Sequence, residues 1–324
     1  MPTRILSGVQ PSGRLHLGNY FGAIKQHIEL QDLPGAEPYY FIADFHAMTT
    51  VQDAAKMREL VMGAALDYLA LGLDPQRSAF FRQSDVPEVT ELAWMLGAVT
   101  GMGLLERAVS YKDKIAKGIA PSVGLFYYPV LMAADILIYK PKFVPVGQDQ
   151  VQHIEMTQDM AQYFNHTYKC QVFVRPEARL NQFAKVPGAD GEKMSKSYGN
   201  TIDLQMEGKD LKKAVMSVKT DSTPVEAPKA PDTCNVFALY SLFANDAEKQ
   251  TLAERYRAGG MGYGDAKKAL LEKIETYFTS YRAKRKDLAA NLDYVNSVLR
   301  DGAERASKVA RKTLDEAKEA VGLK

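Results

Sequence analysis

The sequence predicts an α/β protein: a doubly wound parallel sheet followed by an all-helical C-terminal domain. Short apolar runs at 4–9, 39–44, 79–83 and 143–146 alternate with stretches whose apolar residues recur at the spacing of one helical face, the pattern of βαβ units. Two of these runs end in glycine-bearing turns that lead into helices, Pro11-Ser12-Gly13-Arg14-Leu15-His16-Leu17-Gly18-Asn19 and Gly147-Gln148-Asp149-Gln150. Beyond residue 200 composition becomes more helical and more charged, interrupted by a proline-rich connection at 223–231.

Taken in order, Arg4-Ile5-Leu6-Ser7-Gly8-Val9 is the first strand, and Leu17, Phe21, Ile24 and Ile28 mark one face of the first helix. The turn between them is a candidate phosphate site. Gly13 and Gly18 let backbone approach a ligand, unpaired N–H groups at the helix start favour an anion, and His16 adds a donor. Tyr39-Tyr40-Phe41-Ile42-Ala43-Asp44 is the second strand, and a helix follows with Met57, Leu60, Val61, Ala64, Tyr68 and Leu71 on one face, ended by Gly72 and Asp74-Pro75. Ala79-Phe80-Phe81-Arg82-Gln83 is the third. Right-handed crossovers between parallel strands put ligands at the carboxyl ends, where His16, Asp44, His46 and Gln83 lie.

From 88 to 118 the chain reads as helical, then charged and irregular through 112–118, a solvated connection. An apolar helix from Gly124 carries Asp135 among Met132, Ala133, Ala134, Ile136 and Leu137. A carboxylate there is costly unless a donor meets it, so it either makes a structural bond or receives a ligand's N–H or O–H. Phe143-Val144-Pro145-Val146 is the next strand. Asp149 beyond it is placed to accept ribose hydroxyls or to cap the helix running through Phe164, and His153, one turn on, packs or positions. Downstream, Gly191-Glu192-Lys193-Met194-Ser195-Lys196-Ser197 offers two ammonium groups to phosphates from a glycine-flanked loop. From 265 to 324 long helices run through Leu270, Ile274, Phe278 and Tyr281 and past Val295, Leu299, Val309 and Leu314. The densest basic run, Arg282-Ala283-Lys284-Arg285-Lys286, is either a solvated helix face or an RNA contact.

At 324 residues, 46% hydrophobic and 25% charged, the chain can bury a good core in one large domain plus a smaller one. No basic start is joined to an apolar run and cleavage site, and no apolar stretch is long enough to span a bilayer, so the cytoplasm is the expected location. Cys170 and Cys234, the only cysteines, are too few and too far apart for a disulfide framework or a thiolate metal site. A net charge of +2 means that any nucleic-acid contact must come from a local patch.

His16-Leu17-Gly18-Asn19 and Lys193-Met194-Ser195-Lys196-Ser197 together resemble the two signature motifs of the class I aminoacyl-tRNA synthetases. Over essentially the whole length the chain is similar to the bacterial tryptophan-specific branch of that family. The opening Ser7-Gly8-Val9-Gln10-Pro11-Ser12-Gly13, the block from Tyr128-Pro129-Val130 to Asp135-Ile136-Leu137, and Val144-Pro145-Val146-Gly147-Gln148-Asp149-Gln150 with His153-Ile154-Glu155 carry the likeness. It implies a Rossmann-like catalytic domain over 1–190 with tryptophan and ATP sites, a lysine loop over 191–200, and a helical tRNA-anticodon-binding domain over 201–324 whose last helix can pack back on the catalytic domain. It also implies ATP with Mg²⁺ carried on its phosphates, L-tryptophan and tRNA-Trp as substrates, a homodimer, and no membrane or DNA partner.

By the same resemblance His16, Lys193 and Lys196 are catalytic. Gln10, Pro11, Ser12, Gly18 and Asn19 would line ATP, with Gly147, Gln148 and Asp149 at its ribose, Val186 beside its base, and Lys193, Met194, Ser195, Lys196 and Ser197 over its phosphates. Asp135 would accept the indole N–H, Met132, Ile136, Val144 and Val146 would wall the ring, and His46 and Gln83 would lie near the substrate's polar end. The chain departs from the family pattern at Leu6, where some relatives carry an aromatic, at Gln148, where an acidic residue is frequent, and at Tyr198-Gly199-Asn200 after the lysine loop. A tyrosine-specific synthetase is the alternative within the class, because a phenol could also donate to Asp135. A non-aminoacylating RNA-binding paralogue is the alternative outside it.

Overall fold

The structure, a computed structural model, describes residues 3–116, 118, 122–180 and 186–324. The chain folds into two compact units, one of Met1–Gly13, His27–Asn181 and Leu288–Lys324, the other of Arg14–Gln26 and Gln182–Asp287.

The first unit is built on five parallel strands, β1 (Thr3–Val9), β2 (Ala36–Ile42), β3 (Ala79–Arg82), β4 (Phe143–Val146) and β5 (Glu177–Leu180), in the order β3-β2-β1-β4-β5. β1 and β2 pair along their whole length, from Thr3 opposite Ala36 to Val9 opposite Ile42. The order reverses direction between β1 and β4, so a crevice opens at their carboxyl ends, where doubly wound sheets take their ligands. Gln10 to Ser12 follow β1 and Gly147 to Gln150 follow β4 at that switch point. The helices Glu88–Val99, Val123–Leu137 and Val151–Thr167 pack together over a core that includes Phe41, Phe81, Leu92, Leu96, Leu137, Ile154 and Phe164.

The last helix, Leu292–Val321, lies against the edge strand β3 and buries a stripe of small residues, Ala303, Ala306, Ala310 and Ala317. Gly302 makes that approach possible: a Cβ there would fall 2.0 Å from the Phe80 carbonyl oxygen, so any larger residue would force helix and strand apart. Arg311 Nε donates to the buried Glu88 at 2.7 Å, and Arg305 Nη2 donates to the Ser78 carbonyl at 2.7 Å. A sheet edge exposed to self-association is thereby covered.

β5 and the stretch from 112 differ from the sequence reading, and β2 runs over Ala36–Ile42 where 39–44 is expected. β5 has no apolar alternation, because every residue of Glu177-Ala178-Arg179-Leu180 is exposed on an edge strand. The stretch expected to be irregular from 112 is helical over Val109–Ala116, anchored by Tyr111 standing edge-on to Phe126 with centroids 5.2 Å apart, while Lys117 lies outside the described residues. Among the described residues no helix is long and apolar enough to cross a membrane.

The second unit joins the segment around His16 to helices Gly208–Met216, Asn235–Ser241, Asp246–Ala258 and most of Tyr263–Ala289. Its first helix departs from regular geometry: an α turn at Leu17–Asn19 gives way to a π segment over Tyr20–Ile24. That segment presents Tyr20 and Phe21 to Phe243, Tyr277 and Phe278, an aromatic cluster with centroids 4.9–6.1 Å apart. Tyr20 and Tyr277 also share a hydroxyl hydrogen bond of 2.9 Å. The proline-rich stretch is organised by buried Lys229, whose Nζ donates to the carbonyls of Pro224 (2.7 Å), Ala227 (3.1 Å) and Val225 (3.2 Å).

Candidate active site

In the second unit the two signature segments are tied backbone to backbone. Leu17 N–H donates to Ile202 O at 3.0 Å and Leu204 N–H to Leu15 O at 3.0 Å, with His16 bridged to Asp203 between them. Gly18 N–H donates to Met194 Sδ at 3.3 Å across 176 residues. A side chain at 18 would meet the His16 ring at 2.9 Å and Met194 Cβ at 3.2 Å, so glycine is what lets imidazole and lysine loop close on one another.

These bonds correct one expectation. The helix-start amides are already engaged, Leu17 and Gly18 as above and Asn19 through His16 O at 2.9 Å, so they are not spare donors for an anion. Asn19 instead accepts from His16 N–H through Oδ1 at 3.1 Å. His16 is buried, and its Nδ1 has no hydrogen-bond partner among the described residues. Burial, reinforced by the charge of Lys196, lowers its pKa from 6.5 to about 4. Its imidazole is therefore neutral near pH 7 and can offer a hydrogen bond but not a positive charge.

The lysine loop is a compact turn centred on Asn200. Asn200 Oδ1 accepts from Ser195 N–H at 2.8 Å, while Nδ2 donates to Asp190 Oδ1 at 2.7 Å and to Lys193 O at 3.2 Å. Met194 is buried, with its N–H on Val186 O at 2.9 Å, and the Ser195 and Ser197 hydroxyls lie 2.8 Å apart. Lys193 and Lys196 are left exposed. The sequence reading treated Tyr198-Gly199-Asn200 only as a departure and missed that Asn200 holds the turn.

The densest basic run divides. Arg282 turns inward, its side chain only 10% exposed, with Nε donating to Leu204 O at 3.0 Å, so it supports the Leu15–Leu204 pairing and is not available to RNA. Burial lowers its pKa. Lys284 and Lys286 remain exposed.

In the first unit, Asp135 is 2% exposed and enclosed by two donors from the ends of neighbouring strands. His46, in the short helix after β2, places Nε2 3.0 Å from Oδ2, and Gln83, just past β3, donates through Nε2 to Oδ1 at 2.9 Å and Oδ2 at 2.8 Å. The Gln83 amide is itself oriented by Phe45 N–H, which donates to Oε1 at 3.1 Å. Burial pushes the Asp135 carboxyl up, and His46 and then Gln83 oppose that shift. His46 and Gln83 thus meet the same carboxylate that the resemblance sets against the indole. Along the helix Met132 is partly buried and Ile136 fully so, and in β4 Val144 is buried with Val146 half-exposed. Gln10, Ser12 and Gln148 are exposed, Pro11 is buried and Gly147 is half-buried, while the Asp149 side chain lies outside the described residues. Further along, Tyr128 Oη and His153 Nε2 lie 2.6 Å apart, a pairing across 25 residues that the sequence reading left unassigned.

Residues 1–279 match the family model described as tRNA synthetases class I (W and Y). The chain is 55% identical over 322 residues to a tryptophan–tRNA ligase of Rhodopirellula baltica, covering 99% of this chain and 100% of the relative. It is 53% identical over 321 residues to that of Fusobacterium nucleatum, covering 99% and 98%. Tryptophanyl-tRNA synthetase from Campylobacter jejuni, solved in complex with ADP and tryptophan, superposes with a TM-score of 0.92 at 48% identity over 99% of this chain and 100% of that one. Tyrosyl-tRNA synthetase from Archaeoglobus fulgidus, at 20% identity and a TM-score of 0.68 over 88% of this chain and 90% of that one, shares the fold alone.

Buried histidines give this architecture a directional pH dependence. His16 and, in the first unit, fully buried His27 both titrate at about 4 when folded and near 6.5 when unfolded. The unfolded chain therefore binds more protons between those values, and stability falls as pH drops from 6.5 towards 4. Two-dimensional ¹H–¹⁵N spectra should show both rings neutral down to pH 5.5. A midpoint near 6.5 for His16 would contradict its burial.

Proposed function

We propose, since the chain belongs to the class I tRNA synthetases of the tryptophan and tyrosine group, that it activates L-tryptophan with ATP and passes it to tRNA-Trp. The observation that carries the choice of amino acid is identity of 55% and 53% to tryptophan–tRNA ligases over nearly the whole chain, against a likeness of fold alone to a tyrosine enzyme. The geometry supports it. A buried carboxylate already facing donors is an acceptor for one more N–H, and a pocket whose hydrogen bond goes unmade with the wrong amino acid can discriminate by ~10⁴–10⁵.

In the first step tryptophan's carboxylate attacks the α-phosphorus of ATP, the bond to the β-phosphate oxygen breaks, and pyrophosphate leaves. The nucleophile is already ionised, so no side-chain base is needed and the protein's task is positioning and charge stabilisation. Lys193 and Lys196 are assigned the phosphates, and neutral His16 a hydrogen bond. In the second step a hydroxyl of the tRNA's terminal ribose attacks the acyl carbon and displaces AMP. Mg²⁺ is assigned to the phosphates of ATP, whose charge it would offset.

By the resemblance, ATP contacts are assigned to Gln10, Pro11, Ser12, Gly18, Asn19, Gly147, Gln148, Asp149, Val186 and Lys193 to Ser197. Asp135 is assigned the indole N–H, with His46 and Gln83 as the residues that orient it and Met132, Ile136, Val144 and Val146 as the apolar wall. Lys284 and Lys286 are assigned to tRNA phosphates. The cytoplasm, where tRNA is charged, is the proposed compartment.

A second copy of the chain is the proposed partner for the exposed apolar side chains Trp94, Met102, Val109 and Val123. Trp94 is 77% exposed and Val123 83%, with Met102 and Val109 also largely exposed, and covering side chains of that size removes apolar area from water. Sedimentation equilibrium should give a dimer, and emission from Trp94, the only tryptophan, should shift to the red on dissociation. A monomer at micromolar concentration would contradict this.

ATP–pyrophosphate exchange tests the activity itself. Tryptophan should support it and tyrosine should do so at most weakly. Equal rates with both would overturn the assignment.

A further inference from the structure

β2 and β3 stop pairing at Ile42 and Arg82, just before the two residues that reach Asp135. His46 lies in the four-residue helix Asp44–Ala47, and Gln83 opens the 3₁₀ turn Gln83–Asp85, so neither is aimed by the sheet ladder itself. Asp44, half-buried and used by no step of the proposed reaction, carries the register past that point. Its Oδ1 accepts from Ser84 N–H at 3.0 Å and its Oδ2 from the Ser84 hydroxyl. One carboxylate from the end of β2 thus grips, with both oxygens, the residue that follows Gln83. Beside it, Phe45 N–H is shared between Asp44 Oδ1 at 3.0 Å and Gln83 Oε1 at 3.1 Å. The two turns are joined at backbone and side chain, and from them His46 and Gln83 reach the same carboxylate.

We infer that Asp44 is a positioning residue for amino-acid selection: by holding Ser84 it sets the directions from which Gln83 and His46 meet the Asp135 carboxylate. This rests on the proposed reading of Asp135 as the acceptor of the indole N–H. The link is covalent on both sides. Ser84 N–H belongs to the planar peptide unit that begins at the Gln83 carbonyl carbon, so fixing it fixes the direction in which the Gln83 side chain leaves the backbone. Asp44 and His46 share one short helix, so the same grip holds that helix against the 3₁₀ turn. Hydrogen bonds to an ionised carboxylate are stronger than those between neutral groups, which suits a tie made to an exposed serine. Without the Asp44 carboxylate, the bond from Phe45 N–H to Gln83 Oε1 ties a side chain and not the backbone that carries it. The two donors then shift on Asp135, and the consequence is confined to ligands that present an N–H to it. Burial pushes the Asp135 carboxyl up and the charge of Asp44 adds to that push, so position and charge have to be separated by experiment.

The test compares tryptophan with its benzothienyl analogue, in which sulfur replaces the indole N–H, in the exchange assay. Asp44→Ala should raise KM for tryptophan about three- to tenfold, the range for one lost hydrogen bond, and leave the Ki of the analogue and the KM for ATP within about twofold. Asp44→Asn keeps an oxygen for Ser84 N–H and an amide N–H for the Ser84 hydroxyl while removing the charge. It should hold the tryptophan KM within about twofold of the unaltered protein, and a loss equal to that of Asp44→Ala would overturn the inference in favour of charge. Ser84→Ala should raise the tryptophan KM about two- to threefold and add nothing in the Asp44→Ala background. An unchanged tryptophan KM in Asp44→Ala, an equal loss for tryptophan and analogue, or full additivity with Ser84→Ala would each contradict the role. If Asp44→Ala fails to fold by circular dichroism, Ser84→Ala alone must reproduce the selective loss, and an unselective effect there counts against the proposal. Asp135→Asn is measured in the same plates. If it leaves the ratio of tryptophan KM to analogue Ki unchanged, the acceptor reading fails and the inference with it; if it changes that ratio and Asp44→Ala does not, the Asp44 role alone fails.

Discussion

Two backbone hydrogen bonds, from Leu17 to Ile202 and from Leu204 to Leu15, hold together the segment around His16 and the chain that leaves the lysine loop. They make the histidine turn and the lysine loop parts of a single compact unit although strands β2 to β5 lie between them in the sequence. The other features of that unit follow from the clasp. Gly18 has no side chain because imidazole and Met194 occupy its space, the first helix loosens into a π segment to deliver Tyr20 and Phe21 to the aromatic cluster, and Arg282 gives up a surface role to brace Leu204. The neutrality of His16 has the same origin, since the close packing that ties the turn down also removes water from its ring. Lys193 and Lys196 stay exposed, on a turn whose shape is set by one buried asparagine.

The first unit solves a different problem. Burying Asp135 is unfavourable, and the chain offsets the cost with donors from the carboxyl ends of β2 and β3, the places where a doubly wound sheet delivers side chains to a common crevice. A carboxylate so held is rigid and still has lone pairs to offer.

The sequence made some of this legible and hid the rest for identifiable reasons. β1 to β4 could be read because they are buried apolar runs bounded by turn residues, and β4 matches the expected 143–146. β5 could not, because an exposed edge strand carries no alternation. The amides of Leu17 and Gly18 looked free since a local pattern cannot show acceptors nearly two hundred residues away. Arg282 was recoverable: it falls four residues after Phe278 on the stripe of Leu270 and Ile274, so helical spacing already placed it inward, but a run of like charges drew the reading to the surface. Asp135 was legible as an anomaly, a carboxylate among apolar neighbours. Its donors His46 and Gln83 were named from their places at strand ends, and only the packing of three separate elements brings them onto it.

Amide hydrogen exchange tests most directly that the two signature segments are one piece. The Leu17 and Leu204 amides should open with the same free energy as the interior of the Tyr263–Ala289 helix, because losing either bond requires the unit to unfold. Met194→Ala should speed exchange at Gly18 while leaving Leu17 and Leu204 unchanged. Exchange of Leu17 and Leu204 at the rate of an exposed loop, with the helix still protected, would contradict the account.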